Sequence, residues 1–380
     1  MPAAPETQKQ PPLYSPFREF RRRFARNRLA VTGLVAFAVF FVVAVSGVFL
    51  TTGGDPVFNP SQVNLQNKLL PPLSSPEPGT VRPDERPLFD LYLLGTDELG
   101  RDVFSRMLQG AWVSLTVGFV AVGISVLVGI ILGGLAGYFG PKVLSFAMII
   151  RLSLLILGAL FLLFRLFLPG LSLILAGLVL MFLSKKKPED SSPARVLKPF
   201  FRLGRYGISV DTLIMRFVDI MLCFPSFFLI LTVIALLPAS IYNIMVVIGL
   251  TSWMGTARFI RAEFLSLREQ DFVLAARVLG VGNARIIFRH MLPNAVAPVL
   301  VSATIGIATA ILTEAGLSFL GFGVPPPQAT WGNILSQGKQ YIFDAPWLTL
   351  IPGFSILAVV LAFNLFGEGL RDALNPKLQD

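Results

Sequence analysis

Apolar and polar positions alternate along this chain on the scale of whole membrane spans. Predominantly apolar runs cover residues 29–50, 112–139, 143–164, 166–183, 212–237, 241–260, 295–320 and 348–367. Each is close to the roughly 20 residues that a helix needs to cross a hydrocarbon core about 30 Å thick. Eight such runs predict an all-α polytopic membrane protein. A cleaved leader is the alternative for the first run, with Ala44, Val45 and Ser46 as small residues. A leader's apolar region is only about 7–15 residues long, so the run is read as a retained span.

Charge sets the expected sidedness. Arg18, Arg21, Arg22, Arg23, Arg26 and Arg28 precede the first run, and Lys185, Lys186 and Lys187 follow the fourth. Residues 51–110 are acidic and rich in Pro and Gly, and 321–347 are poor in Lys and Arg. The positive-inside bias places the termini, 185–210 and 261–293 in the cytoplasm and the other two loops outside. At the end of the first loop, Val103, Phe104, Met107 and Leu108 fall at helical spacing and predict a short interfacial helix over 99–108. Small residues such as Gly118, Gly123, Gly129, Gly133, Gly134 and Gly137 let the second span pack closely. Arg151 and Arg165 are expected to snorkel at the ends of the third and fourth spans. Pro225 predicts a kink in the fifth. Asp211, Arg216 and Asp219 fit a local helical ion cluster. Glu314, late in the seventh span, is either a pathway or gating group or a carboxylate bonded to neighbouring helices.

Composition narrows the chemistry. Hydrophobic residues make up 54% and charged residues 14% of the chain, against about a quarter charged in soluble domains. The net charge of +10 lies mostly beside the apolar runs, a membrane pattern rather than a nucleic-acid one. Cys223 and His290 are the only cysteine and histidine, so no disulfide, metal cluster or Ser-His-Asp triad is expected. No phosphate loop of the form G-x-x-x-x-G-K-[ST] occurs.

The most informative stretch is the polar segment 265–293. Phe272, Leu274, Ala275, Val278 and Leu279 form a helical stripe; Gly280 and Gly282 then break the helix. Asn283 is expected to cap a second helix holding Ile286, Ile287 and Met291, with Arg285 and Arg289 on another face. Pro293 is expected to start the next span. The small side chains Ala275 and Ala276 would let another protein approach closely. A hairpin that only links two spans is the alternative.

The run through Ala275-Ala276, Gly280 and Leu292-Pro293 resembles the E-A-A…G…I-x-L-P loop of ABC importer permeases. Leu274 stands where that motif has Glu, and His290 where it has Ile, changes common in the dipeptide/oligopeptide/nickel branch. Residues 94–106 match the branch's L-G-T-D-x-x-G-R-D-x-x-S-R signature. Residues 211–225 resemble its D-x-x-M-R-x-x-D-x-x-x-x-F-P segment, with one more residue between Asp211 and Met215, and 314–323 its E-x-x-L-S-F-L-G-x-G stretch. Together they cover about 15–140 and 208–378 in the order of the second, C-type permease.

The resemblance implies an ABC transporter transmembrane domain at 111–140 and 210–372, which makes a six-helix importer core together with the first span. A basic segment 1–28, a first span 29–50 and an extracytoplasmic loop 51–110 would precede it, and a tail 373–380 would follow. Residues 141–209 are then an inserted transmembrane hairpin with a basic linker, either facing lipid or contacting another subunit. Leu274, Ala275, Ala276, Arg277, Gly280, Arg285, Leu292 and Pro293 would form the loop that docks on an ATPase. No cofactor is expected on this chain; ATP-Mg would bind two ATPase subunits. A second permease subunit and an extracytoplasmic substrate-binding protein complete the implied partners, in a bacterial cytoplasmic membrane, with di- or oligopeptide as the substrate class. Nickel and other small solutes use close relatives. An ion-coupled secondary transporter is the alternative from another class, and a membrane enzyme would have to use the isolated His290.

Overall fold

The computed structural model describes residues 16–53, 56–81, 87–140, 142–145, 154–155, 172–176, 178 and 207–374. They are almost entirely helical. Helix α1 (Pro16–Arg26) meets α2 (Arg28–Thr51) at Asn27, whose Oδ1 accepts from the Ala30 N–H at 3.2 Å and caps α2. Helix α3 runs unbroken over Val103–Phe139. The Asp102 carboxylate accepts from the N–H groups of Phe104 and Ser105, which satisfies first-turn donors. The interfacial helix expected over 99–108 is therefore corrected: its apolar positions are the first turns of α3, and 99–102 is loop.

Beyond α3, strands β1 (Val143–Ser145) and β2 (Gly207–Ser209) pair antiparallel, with Val143 opposite Ser209. Val143 thus opens a strand, where a span had been expected to begin. The ribbon sets Ser145 opposite Gly207. Of the rest of the expected hairpin, 154–155, 172–176 and 178 are described and helical; the remainder, with Arg151 and Arg165, and most of the basic linker lie outside the described residues.

Ser209 caps α4 (Val210–Leu222), and α5 (Ser226–Leu236) follows. The expected kink is a full break at 223–225. Proline has no N–H to give to the helix and disfavours helical geometry in the residue before it, and Pro225 occupies the N-cap position of α5. Helix α6 is Ile241–Arg268, α7 Asp271–Val278 and α8 Asn283–Arg285. A π-helical turn, Ile286–Met291, carries α8 into α9 (Leu292–Phe319). Pro293 is the second residue of α9, at the start of the span as expected, and the helical path continues back through the π turn to Asn283. The wider turn just before Pro293 falls where the proline ring would crowd a regular α-helix. Helices α10 (Trp331–Gly338) and α11 (Trp347–Leu374) complete the chain.

Among the described residues five helical segments are long and apolar enough to cross a membrane: Arg28–Thr51, Val103–Phe139, Ile241–Arg268, Asn283–Phe319 and Trp347–Leu374. The broken pair α4–α5 makes a sixth if it is one span.

The chain divides into two compact units. The first comprises Met1–Ile130, Phe224–Thr256 and Phe288–Asp380. Its core includes Leu115, Ile248, Ile311, Leu317, Trp331 and Phe363. Here α2 lies on α11 through small residues: a Cβ on Gly369 would overlap Ala30, and one on Gly33 would come within 2.6 Å of the Phe366 nitrogen. Such contacts bring backbones into van der Waals range where lipid removes the hydrophobic driving force. The second unit comprises Ile131–Cys223 and Ala257–Ile287. In it Gly133 and Gly137 of α3 press against Ala257 and Phe264 of α6.

Candidate functional site

In the second unit, α7 leaves α6 through a tight turn and ends in a specific backbone arrangement. The Val281 N–H reaches the Ala276 carbonyl and the Gly280 N–H the Arg277 carbonyl, both at 3.0 Å. This pair of bonds is a Schellman motif with Gly280 at the left-handed position, φ +73°. A Cβ there would meet nothing within 4 Å, so backbone conformation alone calls for glycine. Gly282 then caps α8. That corrects the expectation for Asn283 by one residue: its side-chain oxygen is occupied, accepting from the Tyr138 hydroxyl at 2.7 Å. The Arg277 guanidinium lies over the same tyrosine ring, 5.1 Å from its centre. Tyr138, at the end of α3, thus holds both arms of the hairpin. Sequence patterning passed over it because an aromatic near a span end is ordinarily an interfacial anchor.

The inward face of the hairpin is Val273, Ala276 and Ile286, all buried. Its outward face is apolar. Val278 and Leu279 are 87% and 81% exposed, and Phe272 and Leu274 are exposed as well. The expected pair of approachable alanines is corrected at Ala276, which faces inward; Ala275 is exposed. Leu274, Arg277, Gly280 and Arg285 are exposed on the same hairpin, with Leu292 half-buried and Pro293 exposed where α9 begins.

Elsewhere in this unit the expected Asp211–Arg216–Asp219 cluster is replaced by pairs between helices. Asp211 binds Arg261, with one N···O distance of 2.6 Å, and Asp219 binds Arg258 at 2.6 Å. Arg216 lines the same open cavity. Arginines one helical turn apart on α6 reach two turns of α4, a match that spacing along α4 alone does not reveal.

Two further polar groups belong to the first unit. Glu314 is fully buried within α9, accepting from the Ser318 hydroxyl at 2.7 Å. The hydroxyls of Ser114 and Thr330 flank it, though Oε2 takes no hydrogen bond of ordinary geometry among the described residues. It is placed among neighbouring helices and shares no element with the α7–α8 hairpin. The signature at 94–106 folds around Asp97. Oδ1 accepts from the backbone of Leu99 and Arg101, and Oδ2 binds the Arg101 guanidinium at 2.7 Å and that of Arg106. Arg106 also donates to Gln337 of α10 at 2.7 Å. These side chains are almost wholly buried. Next to them, burial raises the Asp102 carboxyl above its ordinary range, while hydrogen bonds from Ser105 and Phe104 oppose the shift.

Residues 202–380 match the family described as binding-protein-dependent transport system inner membrane component. Residues 15–72 match the N-terminal transmembrane domain of oligopeptide transport permease C. The chain is 34% identical to the dipeptide transport system permease protein DppC of Alkalihalophilus pseudofirmus, over all of this chain and 95% of that protein. It is 33% identical to the di/tripeptide permease protein DppC of Pseudomonas aeruginosa, covering 96% and 94%. With the oligopeptide permease protein OppC of Bacillus subtilis it shares 29%, covering 94% and 88%. Motif order, spans and relatives agree: the chain belongs to the C-type permeases, DppC and OppC, of binding-protein-dependent ABC importers.

Proposed function

We propose that this multi-pass inner-membrane subunit carries di- or oligopeptides by alternating access, driven through its α7–α8 hairpin by separate ATPase subunits. The carrying observation is the outward apolar face of Phe272, Leu274, Val278 and Leu279 on a hairpin whose two arms are fixed to Tyr138. Apolar side chains this exposed on a polar connection call for a protein partner. Leu274, Ala275, Arg277, Gly280 and Arg285 form the docking surface, with Ala276 holding it from beneath and Leu292-Pro293 joining it to α9. The ATPases hydrolyse ATP-Mg, a second permease subunit completes the pathway, and an extracytoplasmic binding protein delivers peptide. The hairpin and both termini face the cytoplasm, in line with the arginine distribution. Peptide as cargo follows the names of the relatives.

In this reading the chain breaks no bonds. ATP-driven closure moves the docked hairpin, and the chain contributes contacts that differ between its inward- and outward-open states. Leu279→Asp, which places a charge on the docking face, is expected to cut peptide uptake at least about tenfold, a coupling loss of roughly 1.4 kcal/mol. Span insertion should be unchanged. Uptake by the reconstituted complex together with its ATPase rate is the measurement. Normal coupled uptake by Leu279→Asp would overturn the docking role.

A further inference from the structure

Next to the docking face, and sharing Arg277 with it, lies a second feature of the same unit. An open cavity of about 510 Å³ is lined by Tyr138, Phe139, Lys142, Arg268, Glu269, Arg277 and Asn283. Three of these are cations and one is an acid. Arg268 donates to Glu269 at 2.9 Å and to the Gly137 carbonyl at 3.4 Å. Lys142 sits over the Phe139 ring at 4.8 Å, and Arg277 over Tyr138. Neither has a carboxylate partner among the described residues. An aromatic face positions a cation without neutralising its charge or accepting its N–H donors in the plane.

Part of the positive charge answers the C-terminal ends of α3 and α6, each worth roughly half an elementary charge. With Glu269 counted, about one positive charge remains. It is presented by an ammonium and a guanidinium that line the same cavity. The cavity lies where α3 and α6 end, beside an aromatic pair of the kind that marks the headgroup level. Basic pockets at that level take anionic headgroups. We propose that this cavity binds a phosphate group, with Lys142 and Arg277 as its ligands, supplied by the headgroup of an acidic phospholipid or by free phosphate. Bound there, the anion would link the end of α3 to α7 and stiffen the hairpin. The binding itself does not depend on the docking role.

The test uses the purified complex containing the full chain, in phosphatidylcholine nanodiscs with or without phosphatidylglycerol. A second arm compares inorganic phosphate with chloride at matched ionic strength. Retained lipid is counted by native mass spectrometry, and stability is followed by thermal melting. Lys142→Gln should lower retention of phosphatidylglycerol about fivefold, and Lys142→Gln with Arg277→Gln should lower it further. Lys142→Arg should keep it, which separates lost charge from lost folding, and so should Arg258→Gln outside the cavity. A melting shift with phosphate but not with phosphatidylglycerol would assign the site to free phosphate. Equal lipid retention by the double variant, with no stabilisation of the native complex by either probe, would overturn the proposal. A Lys142-dependent ATPase contact in place of both would overturn it as well.

Discussion

Two neighbouring acids in the loop before α3 show how the same side-chain type serves opposite ends. Asp97 faces two buried guanidiniums, so Asp97→Asn leaves both without their hydrogen-bonded carboxylate. Breaking a buried pair in this way costs about 3–5 kcal/mol. Asp102 faces backbone N–H groups, and its burial favours the protonated form. A carboxyl raised in this way contributes most to stability below its unfolded pKa, and the contribution fades as pH rises through the folded value. Near neutrality its charge is therefore a cost. Asp102→Asn, which keeps a capping oxygen, should change stability by no more than about 1 kcal/mol. Thermal melts of the two variants in the same nanodisc should differ plainly. In the sequence both acids looked like parts of one family signature. What separates them is Gln337 and the closure of the loop onto α10, which join residues more than two hundred positions apart. No local pattern carries that information. Gly100 completes the same loop: its φ is +70° and a Cβ would overlap the Asn64 carbonyl.

At the scale of elements, the α7–α8 hairpin was legible to a useful depth. Apolar spacing showed a helix, paired glycines showed its end, and charge bias suggested its side. Which face points outward was not legible, because the helical stripe of Phe272, Leu274, Ala275, Val278 and Leu279 does not by itself say whether it meets the core or a partner. The structure buries Val273 and Ala276 instead. Two buried residues are too few to stand out against four large apolar neighbours. The Schellman geometry yields a sharper prediction than the motif alone. Gly280→Asn should retain coupled uptake, since Asn enters left-handed geometry at little cost. Gly280→Val should lose it, because a β-branched residue at φ +73° is strained by about 1–2 kcal/mol and the arm must unwind. Limited proteolysis across 277–283 would report the unwinding, and equal resistance in both variants would refute it. The break at Pro225 was underestimated for a related reason: sequence shows that a proline is present, but not whether its helix bends or stops.

At the scale of the molecule, the positions of the first, second and fifth to eighth expected spans were legible because lipid imposes one simple rule on every crossing segment. Helix lengths were not. Helices α3, α6 and α11 run past their apolar stretches, and α8–α9 reaches back through a π turn, because polar ends cost nothing once they leave the hydrocarbon. Long-range pairing through small residues also escaped, and the contact between α2 and α11 is the largest case. Asn27 donates to Asp372 at 3.3 Å, and the Phe37 and Phe366 rings stack with centres 5.8 Å apart. Asn27→Cys with Asp372→Cys, in a Cys223→Ser background, should be joined by a short bis-maleimide, and failure to join would remove this pairing. The contact also sets an order in time. Helix α2 has its resting place on α11, made about 320 residues later on the ribosome. At roughly 5–20 residues per second, it waits on the order of a quarter to one minute with Ala30 and Gly33 uncovered. A chain stopped short of α11 would leave that groove open for good. Such fragments would be marked for membrane quality-control proteolysis by a feature that the finished protein hides.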